Sequence, residues 1–478
     1  MSYTPVIGLE IHLQLATATK MFCGCSAAFG GGANTRTCPV CLGFPGALPV
    51  PNEQAVVLAT RLALALGATV QRRSAFDRKS YIYPDLPKGY QITQQVHPIA
   101  TGGAVPVGDR AIPLRRLHLE EDAGKSSHGP SSTTVDLNRA GVPLVELVTE
   151  PALRSPAEAA AFMKQVRRIV RYLGVSDGNM EQGSLRCDAN VSLRRADAEE
   201  PGARVELKNI NSFRFVSQAL EHEIARHAEL LDAGERVPRE TRLFDARRGV
   251  TVFMRSKEDD QDYRYFPEPD LPPLVLDEAL LSRAREGLVE LAHERAARWQ
   301  RDWDLRAKDA AALSADRATA EWFEAAVDAL GVRDTAQVRT LANLMLGEVA
   351  RRLNDAAVLL ADLPFGPARL AQLVGLIADG TLSVELARKV LGVLWTRDAD
   401  PSAIADEHGW RQVSDDASID PVIRAVLADH PAELRRLRAG KTKLKGFFVG
   451  QVMKRTRGTA NPGLVSARLD ALLAEQDG

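Results

Sequence analysis

The chain has 478 residues, 45% hydrophobic and 26% charged, with 61 Lys and Arg against 62 Asp and Glu and a formal net charge of −1. This is the composition of an ordinary globular protein of two to four domains at about 150 residues each, and it excludes both a disordered polyelectrolyte and a whole-molecule nucleic-acid sleeve. No apolar run approaches the roughly 20 residues needed to cross a bilayer, and the N-terminus lacks the basic segment and apolar core of a secretory signal, so the sequence predicts a cytoplasmic protein without membrane contact.

The first predicted element is a strand, V-I-G-L-E-I-H-L-Q-L, whose alternation puts Glu10, His12 and Gln14 on one face and Leu9, Ile11, Leu13 and Leu15 on the other. After it come Cys23-x-Cys25 and Cys38-x-x-Cys41, four of five cysteines, at a spacing that can close four thiolates around a tetrahedral structural Zn²⁺. A cytoplasmic location argues against a disulfide framework; redox pairs or free thiols remain the alternatives. Further on, R-L-H-L-E-E-D gathers Arg116, His118, Glu120 and Asp122 on one strand face, while Glu121 points to the other unless the strand ends or bulges there. Ala123-Gly124-Lys125-Ser126 imitates the end of a phosphate-binding P-loop. However, Leu119 stands where the first glycine belongs and three carboxylates fill the loop interior, so the P-loop reading is rejected.

Ser155-Pro156-Ala157-Glu158 is a capping box with proline at the first helical position, and Phe162, Val166, Ile169, Val170 and Leu173 recur at helical spacing until Gly174. The strand R-C-D-A-N-V-S then shares Arg186, Asp188, Asn190 and Ser192 on one face and leaves Cys187 on the apolar side; V-E-L-K-N pairs Glu206 with Lys208. A second helix runs from about Ser212 to Ala233, before Gly234. Strands and helices alternate here without a regular β-helix-β rhythm, which predicts an α+β domain on a mainly antiparallel sheet. F-P-E-P-D-L-P-P-L, Phe266 to Leu274, reads as its last extended segment, and from about Leu280 the pattern is helical throughout. The expected domains are 1–292, with a zinc-binding insertion at about 20–45, then 293–400 and 401–478.

Two like charges about 4 Å apart repel by roughly 4 kcal/mol at an effective dielectric of about 20. If Glu10, Glu120, Glu121, Glu150 and Glu206 converge, they therefore need a cation, and hard oxygens with one imidazole suit the Mg²⁺ of a metal-nucleotide. Carboxylates scattered over a solvated face are the other possibility. From Pro431 to Asn461 there are nine basic residues, among them Lys441, Lys443, Lys445, Lys454, Arg455 and Arg457, against Glu433 alone; the excess of eight can attract a polyanion or be a solvated face.

Longer motifs carry a resemblance. V-I-G-L-E-I-H-L-Q-L, D-R-K-S-Y-I-Y-P-D-L-P-K-G-Y-Q-I-T-Q, H-L-E-E-D-A-G-K-S, V-D-L-N-R-A-G-V-P-L-V-E-L-V-T-E-P, G-S-L-R-C-D-A-N-V-S-L-R, E-L-K-N-I-N-S-F-R, D-Y-R-Y-F-P-E-P-D-L and G-F-F-V-G-Q-V-M-K together resemble the B subunits of aspartyl/glutamyl-tRNA amidotransferases, the GatB family. The resemblance implies a glutamine-synthetase-like cradle, a helical domain and a YqeY-like helical tail that binds tRNA. It implies an enzyme that uses ATP and Mg²⁺ to phosphorylate the side-chain carboxylate of Asp or Glu misacylated on tRNA, then amidates it with ammonia from a glutaminase A subunit. A small C subunit completes the heterotrimer, and an aminoacyl-tRNA synthetase joins in a transient complex. On this basis Glu10, His12, Glu120 and Glu121 are expected at or beside the metal, with Glu150 and Glu206 as further ligands. Lys79, Lys88, Arg186 and Lys208 are expected to neutralise phosphate, and Tyr81, Tyr83 and Tyr90 to line the ammonia entrance. The competing readings are a non-catalytic zinc-containing tRNA scaffold and a free-standing carboxylate–amine ligase.

Overall fold

Seven strands build most of a ten-stranded sheet: β1 (Tyr3–Gln14), β2 (Arg110–Glu121), β3 (Pro143–Thr149), β4 (Leu185–Arg195), β5 (Val205–Lys208), β6 (Glu240–Asp245) and β7 (Val250–Ser256). Their order across the sheet is β7-β6-β5-β4-β1-β3-β2, continued by the short Ala100–Thr101 and Thr69–Val70 strands, with Ala104–Val107 also pairing β2. The computed structural model describes residues 3–129, 131–256, 262–331, 334–413 and 415–475. It divides into two compact units, Met1–Leu291 and Ala292–Gly478.

The sheet is mainly antiparallel, as its alternating sequences predict. The exception is β5 with β6, which run parallel because helix Phe213–Asp232 lies between them in the chain and returns it to the same end of the sheet. Ile7, Leu9, Ile11 and Leu13 of β1 are buried on one face, together with Leu117, Leu119, Val145, Leu147, Ala189 and Val191. Truncating one of these leucines to alanine would cost about 2–5 kcal/mol, the transfer term plus the cavity left behind.

Helix Pro156–Tyr172 starts where the capping box predicts: Ser155 Oγ accepts from the Glu158 amide (3.1 Å), and Glu158 Oε2 accepts from the Arg154 amide (2.7 Å). The helix buries Phe162, Met163, Val166, Ile169 and Val170, and it ends before Gly174, whose φ of +64° suits a residue without Cβ. Helix Phe213–Asp232 falls within a residue of its predicted bounds, is capped by Ser212, and packs against both helix Pro156–Tyr172 and β4.

The proline-rich stretch supplies two short pairings, Phe266–Pro267 with Asp77–Arg78 and Leu274–Val275 with Arg73–Ser74. Every described element of the second unit is helical. Its last four helices, Asp416–Asp429, Pro431–Arg438, Leu444–Arg455 and Pro462–Glu475, share a core of Ile419, Ile423, Phe448, Val452, Val465 and Leu469. No helix among the described residues is long and apolar enough to cross a membrane.

Candidate active site

Register decides which polar side chains meet. β1 aligns Glu10 with Asp188 and His12 with Arg186 on β4, and His12 with Glu146 on β3. Glu146 in turn sits opposite His118 of β2, and Leu144 opposite Glu120. Since side chains two apart share a face, Glu10, His12, His118, Glu120, Glu146, Arg186, Asp188 and Lys208 all stand on the side of the sheet away from the leucine core.

At the centre, donor atoms of His12, Glu120 and Glu146 lie within 4.8 Å of one another. His12 Nε2 is 3.5 Å from Glu120 Oε1 and 3.6 Å from Glu146 Oε2. Behind them the buried His118 places Nε2 3.0 Å from Glu146 Oε2 and 3.7 Å from Glu120 Oε2. Burial pulls the His118 pKa down, but Glu146 and Glu120 outweigh it and raise it to about 9. Burial likewise pushes the Glu146 carboxyl up, and His118 and His12 overcome it, holding the group well below the carboxylate range. Two carboxylates and an imidazole facing one another across less than 5 Å, with oxygen lone pairs left over, fit a hard divalent cation. His118 is placed to orient Glu146 from behind.

A second group lies one pleat along. Lys208 Nζ is 2.6 Å from Asp188 Oδ2 and 2.8 Å from Glu206 Oε1, Thr241 Oγ1 donates to Glu206 Oε2 (3.0 Å), and Asn190 Nδ2 donates to Glu10 Oε1 (3.1 Å). Burial first, then Glu146, Glu206 and Asp188, raise the Glu10 pKa. Glu10 and Glu206 thus border the cluster, and Glu206 already shares an ammonium.

Two carboxylates expected as ligands fall elsewhere. β2 is regular from Arg116 to its end, so Glu121 turns to the opposite face, ion-pairs with Lys88 and accepts the Ile92 amide (3.0 Å). Glu150 follows the irregularity at Val148/Thr149 and forms an exposed pair with Arg115 (3.0 Å). Arg186 reaches Asp122 (3.0 Å) at the mouth of a neighbouring cleft. Glu146 and His118 were not among the expected site residues; the lone carboxylate of P-L-V-E-L-V-T was the signal for the first, and the shared face with Glu120 for the second.

Lys79 stands over Tyr263 (4.7 Å to the ring centre) and Tyr81 (5.8 Å). Burial opposes its charge, yet Tyr265, Glu120, Tyr263 and Glu146 together keep its pKa above the ordinary value. Tyr81 and Tyr83 are ring neighbours at 6.0 Å, whereas Tyr90 lies apart, under Arg78 (4.1 Å) and Lys88 (5.3 Å). The three tyrosines therefore flank two lysines rather than forming one ring.

The Sγ atoms of Cys23, Cys25, Cys38 and Cys41 also lie within 4.8 Å of one another, a closed set of soft donors that fits Zn²⁺ and leaves no ligand position open. The hydrogen bond with Cys23 lowers the Cys41 pKa to about 4 against the pull of burial, helped by the Cys38 backbone and Lys20. Lys20 is fully buried, with Nζ 3.6 Å from Cys41 Sγ and 3.3 Å from the Leu137 carbonyl oxygen. In the tail, Lys445 pairs with Asp470 and Arg455 with Asp429, each at 2.5 Å, while Lys441 and Lys443 are exposed on the turn before the Leu444–Arg455 helix.

These features define a class: an α+β cradle whose open sheet face can hold a divalent cation, joined to an all-helical unit. Residues 5–282 match the sequence profile of the GatB/GatE catalytic domain, and residues 321–473 match that of the GatB domain. The chain is 51% identical to the B subunit of the aspartyl/glutamyl-tRNA(Asn/Gln) amidotransferase of Anaeromyxobacter dehalogenans (strain 2CP-C), over 98% of each chain. It is 51% identical to the B subunit from Nitratidesulfovibrio vulgaris (strain DP4) over 99% of each, and 48% identical to the B subunit from Chlorobium chlorochromatii (strain CaD3) over the whole of both. The chain belongs to the GatB family.

Proposed function

We propose that this chain is the kinase and transamidase subunit of a glutamine-dependent aminoacyl-tRNA amidotransferase, acting on Asp or Glu misacylated onto tRNA(Asn) or tRNA(Gln). The observation that carries the reading is the convergence of His12, Glu120 and Glu146 on the open face of the sheet. A carboxylate is a poor acylating group and must first gain a leaving group. A side-chain oxygen therefore forms a bond to the γ-phosphorus of ATP as the bond to the β–γ bridging oxygen breaks. Ammonia then attacks the carbonyl carbon, the C–N bond forms, the C–O bond to phosphate breaks, and the surplus proton leaves with phosphate. In this scheme His12, Glu120 and Glu146 hold Mg²⁺, which supplies charge neutralisation for the phosphates. His118 fixes the orientation of Glu146, Lys79 and Lys208 contribute positive charge at the edges of the face, and Glu10 and Glu206 border it.

The same reading assigns Zn²⁺ to the four cysteines as a brace, the entrance for ammonia to the neighbourhood of Tyr81, Tyr83 and Tyr90, and a tRNA-binding tail to residues 401–478. A glutaminase A subunit and a small C subunit are the partners it requires, with a synthetase joining transiently, and the cytoplasm is where it would work. In the reconstituted complex with misacylated tRNA, Glu120→Gln should abolish both ATP hydrolysis and amide formation while tRNA binding persists. Amidation at the wild-type rate would reduce the chain to a scaffold.

A further inference from the structure

Of the four cations expected to neutralise phosphate, three already answer a carboxylate: Lys88 pairs with Glu121, Lys208 with Asp188 and Glu206, and Arg186 with Asp122. Lys79 forms no ion pair among the described residues and keeps its whole charge. What holds it is aromatic. Its ammonium lies 4.7 Å from the ring centre of Tyr263 and 5.8 Å from that of Tyr81. Both fall within the about 6 Å over which a ring face attracts a cation.

Strand alternation sets the direction in which Lys79 points. Arg78 and Lys79 are neighbours on the strand Asp77–Ser80, so their side chains leave by opposite faces. Arg78 turns to Glu268 (2.7 and 2.8 Å) and Asp270 (3.0 Å). Lys79 turns the other way, where Glu120 and Glu146 are among the charges that favour its protonated form. Tyr263 is fixed over it through the backbone. The Ser80 amide donates to the Tyr263 carbonyl (2.9 Å), and Phe266–Pro267 pairs with Asp77–Arg78, so D-Y-R-Y-F-P is stitched along the strand that carries Lys79. Between the two tyrosines Arg264 has a φ of +44°, a left-handed conformation uncommon for a residue with a Cβ, and its amide donates to Asp262 Oδ1 (3.1 Å). The rings then run in series, Tyr81 to Tyr263 at 6.0 Å and Tyr263 to Tyr265 at 6.1 Å, each edge-on to the next.

A carboxylate and a ring hold an ammonium with different consequences. The carboxylate orients the charge and cancels it, whereas the ring orients it through its quadrupole and leaves the net charge in place. A cation held in this second way beside an acidic face is free to meet an incoming anion. We infer that Tyr263 is a positioning residue: together with Tyr81 it aims the Lys79 ammonium at the γ-phosphoryl group as that group passes from ATP to the substrate carboxylate. The charge to be met is spread over the three equatorial oxygens of the group in transit, and positioning a cation against them is the kind of help this reaction takes from a protein. The inference rests on the transamidase reading and names within it the cation that is free to act and the ring that aims it.

The test uses the complete reconstituted complex with misacylated tRNA. Tyr263→Leu should lower kcat about tenfold for both ADP release and amide formation, with KM for tRNA unchanged, and Tyr263→Phe should restore most of it because the ring face acts and the hydroxyl does not. Lys79→Met should lose more, and adding Tyr263→Leu to it should cost little further, since the ring works through the ammonium. Replacing Tyr263 by phenylalanine with one, two or three ring fluorines separates aiming from packing. Ring size hardly changes while the attraction for a cation falls with each fluorine, so log kcat should fall stepwise. A flat series, a loss in Tyr263→Phe equal to that in Tyr263→Leu, or losses additive with Lys79→Met would overturn the inference and leave the transamidase reading standing. Absence of amidation by the wild-type complex would overturn that reading instead.

Discussion

Two groups of carboxylates in the first unit are buried to a similar depth and are resolved in opposite ways. Under helix Phe213–Asp232, Glu223 and Glu240 are met by Arg226 and Arg242, with His227 Nε2 a further 3.0 Å from Glu223 and Thr251 Oγ1 donating to it (2.7 Å). On the open face Glu120 and Glu146 meet only imidazoles at ion-pair distance among the described residues, with Lys79 set further back. The first set closes on itself with guanidinium groups that stay charged at any accessible pH. The second leaves negative charge on the open face of the sheet, which in the proposed function a cation from outside would complete. Burial alone therefore does not distinguish a structural carboxylate from a working one; the kind of cation that answers it does.

The sharpest way to break this contrast is to remove one carboxylate from each set. Glu146→Gln should lower the rate of amidation in the folded fraction by at least about a hundredfold, the effect of losing a metal-linked charge, at some cost in thermal stability because the buried His118 loses its partner. Retained turnover with reduced stability would reverse the assignment. Glu223→Gln should act on stability alone, destabilising the first unit by about 3–5 kcal/mol because Arg226, Arg242 and His227 lose a buried partner, with kcat preserved in the folded fraction.

Acid should separate the sets as well. Although burial works against it, the Glu223 carboxyl is held down to about 2 by His227, Arg226 and Thr251. Its folded value lies below its unfolded one, so its stabilisation, on the order of 3 kcal/mol, is complete above about pH 4.5 and is lost as pH falls towards 2. Denaturant titrations of Glu223→Gln should lack that part of the acid limb; a variant with the wild-type limb would remove Glu223 as its source.

A smaller effect is expected at the cysteines. Cys38→Ser should lose about one equivalent of zinc and several degrees of Tm, measured by metal analysis and calorimetry, while kcat at saturating tRNA survives. Intact stability with a collapsed kcat would move zinc into the chemistry. The smallest change concerns the tail. Neutralising Lys441 and Lys443 should flatten the log–log salt dependence of tRNA binding by about 0.7–0.9 for each phosphate no longer neutralised, and Lys445→Ala should do less because Asp470 already holds that ammonium. Equal slopes for all three variants would discard the distinction.

Much of the scaffold could be read from the residues. Period-two alternation assigns Glu10, His12, Glu120, Arg186 and Lys208 to strand faces, and their common face follows once the strands pair. The Ser155 and Ser212 caps and the glycines at 174 and 234 mark helix ends through chemistry that acts within one turn. The cysteine spacing brings four thiols together because the intervening loops are short.

What escaped depended on pairing between distant strands. Glu146 stands in a strand that otherwise reads as continuous core, and only the register of β3 against β1 and β2 reveals its partners. Carboxylate density drew the expectation to Glu150, which a strand irregularity leaves on the surface. The pairing of Glu121 with Lys88 depends on a loop reaching the reverse side of the sheet, and nothing in the local sequence states that.

Asp122 gathers Gln14, Arg186 and Arg139 on one buried carboxylate, which makes the floor of the cleft a single mechanical part. An engineer seeking altered substrate preference gains nothing from adjusting those three separately, since replacing the shared anchor unfastens all of them. A variant at any one of Gln14, Arg186 and Arg139 should leave the other two in place, whereas Asp122→Ala should release all three.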